Sequence, residues 1–180
     1  MKKNTKNSYA GLTRLLHWTM GVIILVLLVV GFMMANMPDT NPLKGTAYFL
    51  HKSFGMVILA LIPLRLGWWL INVEPTLPTD LPKWQNTAAR LNIRFLYAAM
   101  VIMPLSGFIM SSFGGHPINV FGLFTIQPFF QKNPVGSYAW YTHVNLAWFM
   151  AAAVILHIGA GLYHHFIRHD TVLKRMIFGK

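Results

Sequence analysis

The chain has 180 residues, of which 55% are hydrophobic and 11% charged, and it contains no cysteine. Its length bounds one small domain, 1–180, and its few charges exclude an ordinary soluble globule, which carries about 25% charged side chains. The lack of thiols excludes c-type haem attachment, iron–sulfur clusters and thiolate zinc sites, so any metal must rest on His, Met or oxygen ligands.

The first apolar run, Leu15 to Met34, holds one His and no full charge, and is long enough to cross a hydrocarbon core. Its basic flank, Met1-Lys-Lys-Asn-Thr-Lys6, would also suit a secretory signal. The run is too long for a signal's apolar segment, however, and no small-residue cleavage site closes it, so it reads as a retained helix. Hydropathy and proline punctuation then predict helices at about 12–34, 47–71, 90–113 and 139–166. Turn-rich stretches separate them: Asn36–Pro42, Glu74–Pro82 and the longer Gly114–Ser137. The second helix is the least apolar, because it carries Lys52 and Arg65. The expected fold class is all-α integral membrane, a four-transmembrane-helix bundle.

An inside N-terminus puts Lys2, Lys3, Lys6, Arg14, Arg65, Lys83, Arg90, Arg94, Arg168, Lys174, Arg175 and Lys180 on the cytoplasmic side, with Lys44, Lys52 and Lys132 outside. That asymmetry predicts that both termini are cytoplasmic. It also accounts for the net charge of +11 without a nucleic-acid partner.

Six of the eight histidines fall inside the predicted helices; His164 and His165 end the fourth, and four lie deeper: His17, His51, His143 and His157. An ionisable side chain at membrane depth is costly and generally faces the bundle interior with a partner. His143 and His157 share one face of the fourth helix and lie ~21 Å apart along its axis. Helix direction then puts His17 level with His157 near the inner surface, and His51 level with His143 near the outer one. The plainer reading is four separate histidines, each bonded to a carbonyl of a neighbouring helix.

The residue four positions after each histidine is small: Gly21, Gly55, Ala147 and Gly161. Positions i and i+4 are neighbours on a helix face, so a flat macrocycle could lie there, although close helix contact in membranes also favours small residues. Counting 14 residues on from His51 reaches Arg65, and from His17 reaches Gly31. Gly31 would leave space beside the outer site. Arg65 would pair with a propionate of the inner haem, or would simply snorkel to the cytoplasmic surface. Two histidines are too few for structural zinc, and the two pairs are too far apart to share one ion. They do suit the axial positions of haem iron, and bis-His ligation, which leaves no open position, favours electron transfer.

Several stretches resemble one family, the bacterial cytochrome b561 family of di-haem membrane proteins, with the related cytochrome b subunits of nickel–iron hydrogenases and formate dehydrogenases. They are Arg14-Leu-Leu-His17-Trp18, His51-Lys-Ser-Phe-Gly55, Ser106-Gly-Phe108, Gly115-His-Pro-Ile-Asn-Val-Phe-Gly122, His157 followed by His164-His165-Phe166, and Asp170-Thr-Val-Leu-Lys-Arg-Met176. The resemblance implies two non-covalent haem b groups held by the same pairs, and electron exchange with the quinone pool, ubiquinone being the expected partner. One relative is similar to a superoxide oxidase, which makes superoxide:ubiquinone oxidoreductase a candidate activity. Many members have a histidine near the start of the third helix, where this chain reads Asn92-Ile93-Arg94.

His164 returns to the ligand face near the cytoplasmic surface, so His164 or His165 could bond a quinone carbonyl or move its proton; otherwise they form a polar cap. The Phe-rich segment Gly114–Ser137 is expected to lie along the outer interface over the outer haem, or to be a plain aromatic belt. The sequence thus predicts an electron-transfer protein of the bacterial inner membrane, in contact with lipid, exchanging electrons between quinone and a periplasmic partner or superoxide. The rival readings are a carrier subunit for a partner dehydrogenase and a non-redox metal-binding membrane protein.

Overall fold

The computed structural model describes residues 3–78 and 80–179; Met1, Lys2 and Lys180, which belong to the basic flank and the charge count, lie outside the described residues. Four long helices, α1 (Gly11–Asn36), α2 (Leu43–Leu70), α3 (Lys83–Phe113) and α4 (Pro134–Phe166), run up and down as a bundle. Each is long and apolar enough to cross a membrane, with mean hydropathy of 2.5, 1.6, 1.8 and 1.8 over its best window. The fold is a four-helix membrane bundle. A hairpin, β1 (Ile118–Val120) and β2 (Phe124–Ile126), lies in the α3–α4 connection, and a short α5 (Val172–Phe178) follows α4.

All four helices begin earlier than hydropathy predicts, α1 by one residue and α2, at Leu43 rather than 47, by four, with α3 and α4 differing most. Helix α3 starts at Lys83 rather than 90, since nothing breaks the helix after Pro82. Its polar first turns are supported by Thr87 Oγ1 donating to the Lys83 carbonyl and Arg90 Nε donating to Asn86 Oδ1. Helix α4 starts at Pro134 rather than 139: Asn133 Oδ1 accepts from Val135 N at 3.0 Å, and a proline at the first helical position loses no needed donor. Pro63 and Pro104 sit inside α2 and α3, as bundle packing in a membrane tolerates.

Helix α3 packs most extensively on α4, and α1 on α2. The core between these two pairs is apolar: Met20, Ile58, Ile62 and Met100 form one cluster, and Leu28, Ala99 and Met150 another. Outward, α1 exposes Leu15, Val22, Val26, Val29 and Met33, a stripe suited to lipid.

The two ends of the bundle are built differently. At the tail end, where the first and last described residues lie, Arg14 Nη1 donates to the Ile177 carbonyl and Trp18 Nε1 to the Met176 carbonyl, closing the C-terminus of α5 with α1 side chains. Arg175 Nη1 donates to the Thr76 carbonyl, and Thr76 N to the Lys6 carbonyl, so that α5, the α2–α3 connection and the N-terminal segment are stitched together. At the hairpin end, the segment expected as loop, Gly114–Ser137, instead carries the β-hairpin. Its turn has positive φ at Phe121 (52°) and Gly122 (74°), as in a primed hairpin turn. Ser53, fully buried in α2, donates to the Asn119 carbonyl (3.1 Å) and accepts from Phe121 N (3.0 Å). Lys52 Nζ donates to the Pro117 carbonyl, and the Phe54 and Phe121 rings meet edge-on at 5.0 Å. Two strands of 3 residues each are too short to show a period, which explains why hydropathy reads this segment as loop.

Candidate cofactor site: two histidine pairs

Within the bundle, the rings of His17 (α1) and His157 (α4) come together with centroids 6.0 Å apart, and those of His51 (α2) and His143 (α4) at 6.2 Å. Metal–imidazole bonds of about 2.0–2.1 Å, with each ring centre about 1.1 Å behind its nitrogen, put two centroids roughly 6.3 Å apart across one metal. Both pairs therefore have the spacing of two axial ligands. Among the described residues, no three His, Cys, Asp or Glu side chains converge on one point where a free metal ion could sit. The donor set thus suits a metal that brings its remaining ligands with it, as a porphyrin iron does.

His143 is the most firmly oriented of the four. Its Nδ1 lies 2.9 Å from the Met103 carbonyl and 3.1 Å from Ser106 Oγ, and Ser106 Oγ donates to the same carbonyl at 2.8 Å. A carbonyl can only accept, so Nδ1 carries the proton and Nε2 is left free to ligate. His51 Nδ1 is buried without a hydrogen bond of good geometry, with the Leu27 backbone beside it.

Two glycines give these imidazoles their room. A Cβ on Gly31 would lie 3.2 Å from His51 Cε1, and one on Gly107 would lie 3.1 Å from His143 Cε1. Gly31 thus makes room for the His51 ring and also lines the cavity beside it. By contrast, a Cβ on Gly21 or Gly55 would meet nothing within 4 Å, and one on Gly161 only Leu173 Cδ1 at 4.0 Å. These glycines are not there for close helix contact, which leaves the macrocycle reading of the i+4 positions the stronger one.

The pair at the hairpin end opens on a cavity of about 900 Å³ lined by His51, His143, Gly31, Gly55 and Ala147, within the range of cofactor pockets. Lys52, His116 and Lys132 line the same cavity. At the tail end, Arg65 turns inward instead of snorkelling. Its Nη2 lies 3.4 Å from His17 Nδ1 and its guanidinium carbon 5.4 Å from the centre of the Tyr97 ring. Trp18 meets His17 edge-on at 5.3 Å.

Helical spacing places His164 on the ligand face, but its Nδ1 is engaged: it lies 2.5 Å from Asp170 Oδ2. His165 Nδ1 is buried without a hydrogen-bond partner. Asn92, near the start of α3, donates through Nδ2 to the Ala153 carbonyl, one turn from His157, and ties α3 to α4. Sequence alone assigns no site role to Tyr97, Ser106, Gly107 or Asp170, although Ser106, Gly107 and Asp170 lie in stretches that carry the family resemblance.

The sequence profile of the prokaryotic cytochrome b561 family matches residues 8–179. The chain is 30% identical over 176 residues to the Escherichia coli (strain K12) protein named cytochrome b561 homolog 2, covering 97% of this chain and 93% of that one. It is 28% identical over 170 residues to cytochrome b561 homolog 1 of the same strain, covering 90% and 92%. With four membrane helices, two facing histidine pairs and a match over nearly its whole length, the chain belongs to the prokaryotic cytochrome b561 family.

Proposed function

We propose that the protein is a di-haem b cytochrome of the bacterial inner membrane, with both termini cytoplasmic, that passes electrons between ubiquinone and a periplasmic one-electron partner. The observation that carries this reading is the pair of facing imidazoles at each end of the bundle, with centroids 6.0 and 6.2 Å apart. His17 and His157 would hold the inner haem, His51 and His143 the outer one. When bound, haem supplies reversible one-electron chemistry with both axial positions closed.

The rest of the chain orients and insulates these sites. The Met103 carbonyl and Ser106 fix the His143 tautomer. Arg65, already turned inward beside Tyr97, is the counter-charge for an inner-haem propionate. The apolar clusters around Met20 and Leu28 keep water out of the space between the two levels. Quinone exchange belongs at the tail end, near His164 and His165. A small anionic donor such as superoxide suits the opposite end, where Lys52, Lys132 and His116 line the cavity of the outer pair.

A dithionite-reduced minus oxidised spectrum, with haem per chain from the pyridine haemochromogen, tests the reading. About two non-covalent haems per chain are expected. His143→Ala should remove the outer one and His157→Ala the inner one. Retention of both haems in each variant would refute the pairing. Superoxide-dependent quinone reduction by the purified protein then separates a self-sufficient enzyme from a carrier that needs a partner.

A further inference from the structure

We propose that His164 and Asp170 form the proton port of the quinone site: Asp170 orients His164 and stabilises its imidazolium, which delivers the proton that accompanies each electron. This rests on the quinone reading above and names the groups that would complete its chemistry.

His164 lies seven residues after His157, close to two full turns, and so shares the ligand-bearing face near the tail end. Its Nδ1 meets Asp170 Oδ2 at 2.5 Å, with the two side chains only 13% and 18% exposed. A carboxylate on Nδ1 keeps that nitrogen protonated, supports the imidazolium and leaves Nε2 as the exchanging atom, the arrangement general acid–base catalysis requires.

The chain goes to some length to put the carboxylate there. Asp170 N donates to the His164 carbonyl, and the intervening His169 takes a left-handed backbone with φ of 54°, where glycine is the usual residue. The carboxylate itself is fixed by Val172 N at 3.0 Å and Arg168 Nε at 3.4 Å. Arg168 reaches on to Asp80, whose side chain is 72% exposed. Arg168, which cannot give up its proton, is a clamp here and no relay.

The charged and titratable groups around His164 are thus Asp170 and Arg168 from the α4–α5 turn, Asp80 behind Arg168 from the α2–α3 connection, and Tyr163 and His165 on α4. The chain has only four acids, and burying one of them against a histidine is more than a polar helix end needs.

Reducing a quinone to its quinol takes two electrons and two protons. The electrons arrive singly from the donor oxidised at the outer end. Each proton moves from His164 Nε2–H to a quinone oxygen. The neutral imidazole left behind keeps its Nδ1 proton on Asp170 and regains a proton at Nε2 from the inner aqueous phase once the quinol has left. Quinol oxidation runs the same steps backwards.

The test follows oxidation of the dithionite-reduced, gel-filtered holoprotein by decylubiquinone in a stopped flow, from pH 5.5 to 9, in H₂O and D₂O. Wild type should show one titration in the rate and a solvent isotope effect. Asp170→Asn should slow the reaction at least 10-fold at the alkaline end and shift the titration, with haem content and spectra unchanged, and Asp170→Glu should recover most of the rate. Asp80→Asn, which loosens the same turn without touching His164, should keep the wild-type profile. If Asp170→Asn fails to retain haem, His164→Gln, which leaves the Arg168 and Val172 contacts of Asp170 in place, carries the test.

An unchanged rate and pH profile in the Asp170 or His164 variant would overturn the port while leaving quinone exchange intact. A pH-independent loss shared with Asp80→Asn would overturn it in favour of a structural tie. A wild type that decylubiquinone does not oxidise would overturn the quinone reading itself, and the port with it.

Discussion

Gly107 on α3 and the His143 imidazole on α4 touch across a gap too narrow for a methyl group, since a Cβ at position 107 would lie 3.1 Å from His143 Cε1. Gly107→Ala should push the ring by a few tenths of an ångström, off the Met103 carbonyl and off its facing partner His51. The expected result is a roughly 10-fold weaker outer haem, about 1.4 kcal/mol, read as haem per chain after gel filtration. Gly31→Ala should act in the same way on His51. Gly21→Ala meets no protein atom within 4 Å, so it should not lower folding stability yet should lower occupancy of the inner site, where a macrocycle would lie.

Ser106→Ala removes one of two acceptors from His143 Nδ1 and one donor from the Met103 carbonyl. The other acceptor remains, so the loss should be modest, about 1 kcal/mol of thermal stability. Because the tautomer is then less firmly set, the outer haem potential should also move, which a spectroelectrochemical titration will read.

Gly136→Ala is expected to be a costly glycine substitution. Its Cβ would come within 2.8 Å of the Phe113 carbonyl carbon and 2.9 Å of Gly114 N, which are backbone atoms and cannot swing aside. A loss of about 1–3 kcal/mol is expected, read as a lower melting temperature in detergent. Gly45→Ala, in open space on α2, should instead stabilise by up to about 1 kcal/mol through helix propensity.

Acid should loosen the tail end. Burial tends to raise the Asp170 pKa, but the hydrogen bonds from His164, Val172 N and Arg168 outweigh it and hold the value below the ordinary carboxylate range. A carboxylate with a depressed folded pKa contributes stability that is complete above its unfolded value and is lost as pH falls through the folded one. Thermal melts should therefore be flat in this respect at neutral pH and fall below about pH 4, the ordinary aspartate value. Asp170→Asn should be less stable at pH 7 and lose that acid limb.

The parts of this molecule that were legible in its sequence are those set by one helix at a time. Membrane-length apolar runs gave the four helices, and the 14-residue interval from His143 to His157 with alternating helix direction sorted the four histidines into facing sets. What escaped depends on contacts between residues far apart in the chain. The position of Gly31 was counted along α1 from His17, and that count could not show that its neighbour is the His51 ring of the next helix. Ser53 and Asn119 are 66 residues apart, and no periodicity links them. Asp170 lies beyond the end of α4 and reaches His164 only because His169 adopts a backbone that residues other than glycine seldom take. The early start of α3 was missed for a simpler reason, since hydropathy does not register a polar helical turn.

The hold that Ser53 has on the hairpin bears on how the protein is made. Its Oγ is available as soon as α2 has been inserted, but the Asn119 carbonyl and Phe121 N that it binds are translated some 66 residues later, after α3. The connection before α4 can therefore settle onto a surface that is already in place. Such an order would present α4, which carries one histidine of each pair, to partners already standing on α1 and α2. It also makes the hairpin a poor place for a tag or a protease site, because an insertion there would disturb the helix that bears His51.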